Sequence, residues 1–526
     1  MFSRQLRDNG RKLVYHALLV IEVEVHQQLR AFLRQQGQPY WSHNLTMGRL
    51  VARALRLGRS ALIQTGVPPV GNHGRYRLSY LVSALVWQEA AILVVPEPVQ
   101  QRLLMVELPQ IHQWMQTPKP IHVGDRWPHP DFCGVLVTTP SAWLGDRLGT
   151  QDKFPTAVPV IIDGADDVEA WVHQQLTISL CPSDWNQLML AFPDQVELIR
   201  DTQIQLTRAI YQHPPNPYDQ YLLDAAEQVI LQSLVQQLMP QTALPPAWQA
   251  ISQRLNTADT LFWTAVQRDY GLFSIYSSVV EVASTLELIW TQQPVVLIGS
   301  AVDLDTNATL FRQRLGLPDM TCLKFAPDRH QDLIHLYLPD GIPLPNTPQY
   351  QTALIKEIRY LLYTSASTYS LTVLIVDDMP LKNQIGSLLA AEFGSRVQVE
   401  KTCLDDNGIL VTGWDFWKHH QAVLPLPKVM AIATLPIPSL EHPLVAGRVA
   451  YYKRQRQDWF RLYLLPTALS ELQRAIAPLR ETQGVVALLD SRVIHRSYGQ
   501  HILSALSPLA RHSYLDETLF TQPEIS

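Results

Sequence analysis

"VPVIIDGADDVEAW", residues 158–171, runs from an apolar stretch through an acidic turn into a helix-like pattern. An apolar run that ends at Asp163 fits a strand buried on both faces, and the helical spacing after it fits a crossover connection. The same rhythm recurs outward from this point. "SALIQT", "AAILVVP" and "GVLVTT" precede it, each followed by a helix-like segment, and "PVVLIGSAV" follows it. Beyond the proline-rich "LPDGIPLPNTPQY" a second series begins with "LTVLIVDD", "RVQVEK", "GILVTG", "KVMAIATLPIP" and "GVVALLD". Such alternation predicts parallel α/β sheets, one on each side of the link.

Between about residue 175 and residue 290 the strand signals fade, and patterns such as "NPYDQYLLDAAEQVILQSLVQQLM" predict a helical insertion. The expected organisation is a helical segment over 1–55, a first α/β domain over 56–175 and 290–328, the insertion over 176–289, and a second α/β domain over 329–526.

At 526 residues and 47% apolar content the chain is long enough for two or three cores. A net charge of −5 excludes a wholesale pull toward nucleic acid or anionic membrane, so any nucleic-acid site must be local. Cys133, Cys181, Cys322 and Cys403 lie far apart, which argues against a disulfide framework or a closed metal site and fits a reducing cytoplasm. The apolar runs near residues 13–25 and 78–95 are broken by polar residues, so no membrane span is expected.

Several strings, in order, carry a resemblance. "SALIQTG", "ILVVPEPVQQRLL", "VLVTTPSAWLGD" and the strand ending in Asp163 are followed by "IGSAVDL", Phe416 and Trp417, "LPIPSLEHPL", "LSELQRAIAPLR" and "GVVALLDSRVIHRSYG". This series resembles the DinG and XPD type of superfamily 2 DNA helicases. The resemblance implies two RecA-like domains with a helical insertion in the first, ATP and Mg²⁺ as cofactors, and single-stranded or forked DNA as partner, with RNA as an alternative. It directs Thr65, Gly66, Gly74, Arg75, Arg77 and Gln473 toward nucleotide, Asp163 toward magnesium and catalysis, Arg480 toward the γ phosphate, and Ser300, Phe416 and Trp417 toward nucleic acid.

The chemistry departs from that family. Aligning Tyr80 and Leu81 with its Tyr-Leu puts Tyr76 at the phosphate-loop lysine and Arg77 at the magnesium-binding hydroxyl. Where the family reads Asp-Glu-Ala-His, this chain reads Asp163, Gly164, Ala165, Asp166, so the general base is missing; Asp166 and Asp167 either substitute for it or cap the following helix. On the glutamine–arginine helix only Arg480 of the two arginines survives, and an arginine finger is worth on the order of 10³ to 10⁵ in rate. Only Cys133 lies where many members bind an iron–sulfur cluster, so no cluster is expected.

"YYKRQRQDWFRLY", residues 451–463, interleaves Tyr451, Tyr452 and Trp459 with Lys453, Arg454, Arg456 and Arg461. That composition suits a nucleic-acid groove, and equally an amphipathic helix with its charges in water. Three readings stay open: a DNA-binding pseudo-helicase with lost or very weak ATP hydrolysis, an active helicase that uses Arg75, Asp166 and Arg480 as substitutes, and a scaffold that binds a protein through the insertion.

Overall fold

The computed structural model describes residues 21–35, 41–66, 76–115, 119–149, 152–238, 244–257 and 259–520. Gly74, Arg75 and the first 20 positions of the expected N-terminal helical segment lie outside the described residues.

The strand runs form the elements their apolar character predicts. In the first domain these are β1 (Ala61–Gln64), β2 (Ala91–Val94), β3 (Ile121–Val123), β4 (Val135–Thr138) and β5 (Val160–Asp163). The insertion carries β6 (Ile178–Leu180), β7 (Gln220–Leu222), β8 (Thr260–Gln267) and β9 (Leu272–Val279). The chain then returns to the first domain with β10 (Val295–Gly299) and β11 (Thr321–Lys324). The second domain holds β12 (Ile334–Tyr337), β13 (Leu371–Ile375), β14 (Val397–Val399), β15 (Ile409–Thr412), β16 (Pro427–Ile432), β17 (Val485–Leu488) and β18 (Leu509–His512).

The first domain's seven-stranded sheet has the order β11-β1-β10-β5-β2-β4-β3, and the second domain's has the order β14-β15-β13-β16-β17-β12-β18. Every pairing in both is parallel. Apolar layers cover both faces of each sheet, so the central strands β1, β2, β4, β5 and β10 are buried throughout, as continuous Val/Ile/Leu runs require.

The insertion differs from expectation. Long helices such as Val196–Tyr211 and Ala225–Leu238 are present, but β6 to β9 add a four-stranded antiparallel sheet in the order β6-β9-β8-β7. β8 and β9 pair over their full length around Gly271 at φ +63°, and exposed or half-buried residues alternate with buried ones along much of β9. A strand with one face in solvent does not read as a continuous apolar run, which is why this hairpin hides among helical patterns.

Parallel strands direct their carboxyl ends to one edge, where ligands of open α/β sheets bind. That edge of the first sheet brings together Thr65 after β1, Asp163 at the end of β5 and Ser300 after β10. The helix Arg77–Val86 leads away from it, pinned to the helix Asn44–Leu57 by Ser79 Oγ donating to Asn44 Oδ1 (2.8 Å) and Ser83 Oγ to the Gly48 carbonyl (2.9 Å).

Candidate nucleotide site and nucleic-acid surface

Asp163 is 1% exposed and saturated with donors from its own chain. The Tyr76 hydroxyl donates to Oδ1 (2.7 Å), while the Tyr80 hydroxyl (2.8 Å) and Arg77 Nε (3.2 Å) donate to Oδ2. Arg77 Nη1 also donates to Glu107 Oε1 (3.2 Å), which takes Arg102 Nε as well (3.1 Å). Burial first, and then the Asp163 charge, push both tyrosines well above their ordinary pKa, so they stay protonated donors. Burial works against the Arg77 charge, but Tyr76, Asp163, Tyr80 and Glu107 outweigh it and its pKa rises.

The alignment put Tyr76 at a lysine and Arg77 at a magnesium-binding hydroxyl. In space a guanidinium and two phenols meet the aspartate there. Arg77 is neither an exposed arginine at a helix start nor free to meet a nucleotide, and Asp163 does not cap a helix. The residues present therefore do not fit a nucleotide–magnesium group at this carboxylate.

Of the other nucleotide-directed residues, the described ones, Thr65, Gly66 and Gln473, are also engaged within the fold. Thr65 N–H donates to the Gly299 carbonyl (2.8 Å) and Gly66 N–H to the Ser300 carbonyl (2.9 Å), so neither backbone donor is turned to a phosphate. Gly164, at the family's glutamate position, sits at φ +116°, and a Cβ there would lie 2.8 Å from the Trp171 ring. That conformation and that neighbour favour glycine, which explains the missing base.

Asp166 accepts from Ser300 N (2.7 Å), Ser300 Oγ (2.8 Å) and Ala301 N (3.1 Å). It ties the turn after β5 to the loop after β10 and is neither a helix cap nor poised as a base. Ser300, directed toward nucleic acid by the resemblance, is 5% exposed and its hydroxyl donates to Asp166. Asp167 takes both terminal nitrogens of Arg474, at 2.8 and 3.1 Å, from the second domain.

A cavity of about 380 Å³ lies beside this edge, lined among others by Gly66, Ser300, Lys324, Gln473, Arg474 and Arg480. Its cations are already paired. Lys324 Nζ donates to the Asp303 (2.7 Å) and Leu304 (3.0 Å) carbonyls, and Arg474 holds Asp167. Arg480 donates to the carbonyls of Asp332 (2.8 Å), Leu506 (2.8 Å), Ser507 (3.1 Å) and Pro508 (3.3 Å). Burial lowers its pKa to about 10. The surviving arginine thus braces the second domain's own backbone, in contrast to the expected role toward a γ phosphate. Gln473 Nε2 likewise donates within its domain, to the Ala505 carbonyl (2.9 Å).

On the expected nucleic-acid side, Trp417 is fully buried and its Nε1 donates to the Ala475 carbonyl (3.1 Å), which excludes it from stacking on a base. Phe416 packs on the second domain's core and stacks on His420 with centroids 4.2 Å apart. Lys453, Arg454 and Arg456, by contrast, are exposed together where the helix Pro443–Arg454 ends, with Arg456 at φ +58° in the turn. The Lys453 ammonium lies 5.1 Å from the Trp459 ring centroid and the Arg454 guanidinium 6.0 Å from that of Tyr451. The exposed cations lie together there, beside a half-buried Tyr451 and a Trp459 that packs with Phe460 and Tyr463 on Val445, Val449 and Leu464.

Sequence reading missed Tyr80 as a ligand, Glu107, Arg474 as the partner of Asp167, and Arg448 as the partner of Glu169. The adjacency of Tyr76 and Arg77 at the two key phosphate-loop positions was the available signal for the first two. Nothing local marks the others.

No protein-family model matches the chain. Among curated proteins it is similar to the ATP-dependent DNA helicase YoaA of Haemophilus influenzae, 24% identical over 237 residues, and to that of Escherichia coli (strain K12), 21% over 252 residues. These matches cover 42% and 45% of this chain but only 37% and 40% of the relatives' own lengths. Among solved structures, one titled "XPD_APO" matches with a TM-score of 0.57 at 13% identity, covering 89% of this chain and 100% of that one. Another, "Structure of S. tokodaii Xpd4", matches with a TM-score of 0.56 at 11% identity, covering 89% and 99%. With two parallel RecA-like sheets, the motif order and these likenesses together, the chain is related to the DinG/XPD-type superfamily 2 helicases.

Proposed function

We propose that this chain binds nucleic acid on a helicase-type frame without turning over ATP. The observation that carries this reading is Arg77, whose guanidinium lies on the Asp163 carboxylate where the resemblance expects a metal-bound phosphate. Phosphoryl transfer rests on positioning and on charge stabilisation by lysine, magnesium and arginine. Here Tyr76 stands at the lysine, Gly164 at the base, and Arg480 is engaged by carbonyls.

The exposed Lys453, Arg454 and Arg456, with the half-exposed rings of Tyr451 and Trp459 beside them, offer charge for a strand's backbone and ring edges for its bases. The similar curated proteins bear the name DNA helicase, which makes single-stranded DNA the first probe, with forked DNA and RNA as comparisons.

The test is ATP turnover with and without single-stranded DNA, together with a gel-shift titration at low salt. No stimulated turnover, with clear binding, is the expected result. DNA-stimulated hydrolysis that Asp163→Ala abolishes would overturn the reading in favour of an active helicase. Absence of binding at low salt would leave a scaffold acting through the insertion.

A further inference from the structure

The two α/β domains meet through charged side chains. Asp167, in the turn after Asp163, holds Arg474 with two hydrogen bonds, and Lys418 lies 4.0 Å from the same carboxylate. One layer away, Glu169 in the helix Val168–Leu176 pairs with Arg448 of the second domain at 2.5 Å and with Arg314 of its own. Arg448 also reaches Glu281 at the exit of β9 (3.3 Å) and lies over the Tyr463 ring at 4.5 Å.

The insertion adds a third contact to the same helix, Pro443–Arg454. The Tyr218 ring meets His442 with centroids 5.1 Å apart, and Gly447 approaches β8 so closely that a Cβ would lie 2.5 Å from Leu261 Cδ2.

Domains of one chain move relative to each other unless their interface is extensive, and hinge closure usually requires a ligand that bridges the two sides. Here the bridging groups belong to the chain. Arg448 is 7% and Glu169 12% exposed, so water screens this pair little, and separating the domains would take Arg448 from both Glu169 and Glu281 while Glu169 kept Arg314.

We infer that Asp167–Arg474, Glu169–Arg448–Glu281 and the Gly447–Leu261 contact form a permanent clamp that holds the two domains closed without any nucleotide. The clamp stands on contacts between domains and is independent of whether the Asp163 site accepts ATP. It makes the frame a rigid platform in which domain closure is not switched by ligand.

The experiment is single-molecule energy transfer between dyes on Cys133 and Cys403, the exposed cysteines of the first and second domains, with Cys181→Ser and Cys322→Ala to restrict labelling. The full chain should give one narrow distribution that ATP with Mg²⁺ leaves unchanged. Arg448→Ala with Arg474→Ala should lower and broaden it, and the exchange Asp167→Arg with Arg474→Asp should retain a narrow one.

If the Arg448 change prevents folding, Arg474→Ala with Lys418→Ala provides the same readout from less buried positions, and the wedge Gly447→Leu provides it separately at the Leu261 contact. A broad distribution in the unmodified chain, a shift on adding ATP, or loosening variants indistinguishable from it would overturn the clamp. Turnover of ATP with an unchanged narrow distribution would refute the proposed function and leave the clamp standing.

Discussion

Replacing Arg77 by methionine is the sharpest perturbation of the proposed site. The change keeps an unbranched apolar stem, so little cavity is created, while the guanidinium that meets Asp163 and Glu107 is lost. Arg77 and Asp163 are each 1% exposed, and removing one partner of such a buried pair costs about 3–5 kcal/mol. Two tyrosine hydroxyls remain on Asp163, so the lower end, about 3 kcal/mol, is expected.

A chain of several domains does not unfold in one step, and the assay is the calorimetric transition assigned to the first domain. About 3 kcal/mol corresponds to a fall of roughly 6–12 °C for a domain of this size. Asp163→Asn added to Arg77→Met should cost less than the two single changes summed, because the second change removes the charge that the first left unpaired. A shift below about 2 °C, or additive losses, would refute the reasoning. So would stabilisation of the unmodified chain by ATP with Mg²⁺, since a ligand at 100 times its Kd adds about 2.7 kcal/mol.

Changing Lys453, Arg454 and Arg456 together to alanine should flatten the plot of log affinity for single-stranded DNA against log salt by a slope of roughly 2, whereas Trp417→Phe should lower stability and leave that plot unchanged. Arg480→Met should lower the second domain's melting transition, because four carbonyls lose their donor, at about 1–3 kcal/mol for each polar group left unsatisfied, while nucleic-acid affinity stays the same. His173 has its pKa lowered from 6.5 to about 4, by burial first and then by Arg448. The unfolded chain therefore takes up that proton before the folded one does, and stability should fall as pH drops from 6.5 toward 4. The slope is at most about 1.4 kcal/mol per pH unit, reduced because a quarter of the side chain meets water, and His173→Gln should remove that part of the loss in pH-dependent melting.

Much of the frame was legible in the residues themselves. Parallel strands covered on both faces must be apolar along their length, so β1, β2, β4, β5 and β10 announce themselves as short Val/Ile/Leu runs, and the second series after the proline-rich link announces a second sheet. The antiparallel pair β8 and β9 was not legible as strand, because residues such as Tyr276 and Ser274 are only partly covered and interrupt the apolar signal. The order of motif strings also survived, and their departures at Tyr76, Gly164 and the arginine helix were visible as substitutions.

What those substitutions do was decided by contacts between residues far apart in the chain. Tyr76 and Arg77 reach Asp163 across 87 and 86 positions, and Arg474 reaches Asp167 across 307. A local pattern records which side chains an element carries, and its periodicity records which face is buried. Whether a buried charge meets a ligand, a carbonyl or another side chain depends on which strand ends share an edge. Sequence alone thus determined two parallel sheets and the order of the motif strings along them. Only the tertiary structure decided that Arg77 occupies the Asp163 site, that Arg480 braces its own domain, and that Arg448 and Arg474 join the two halves.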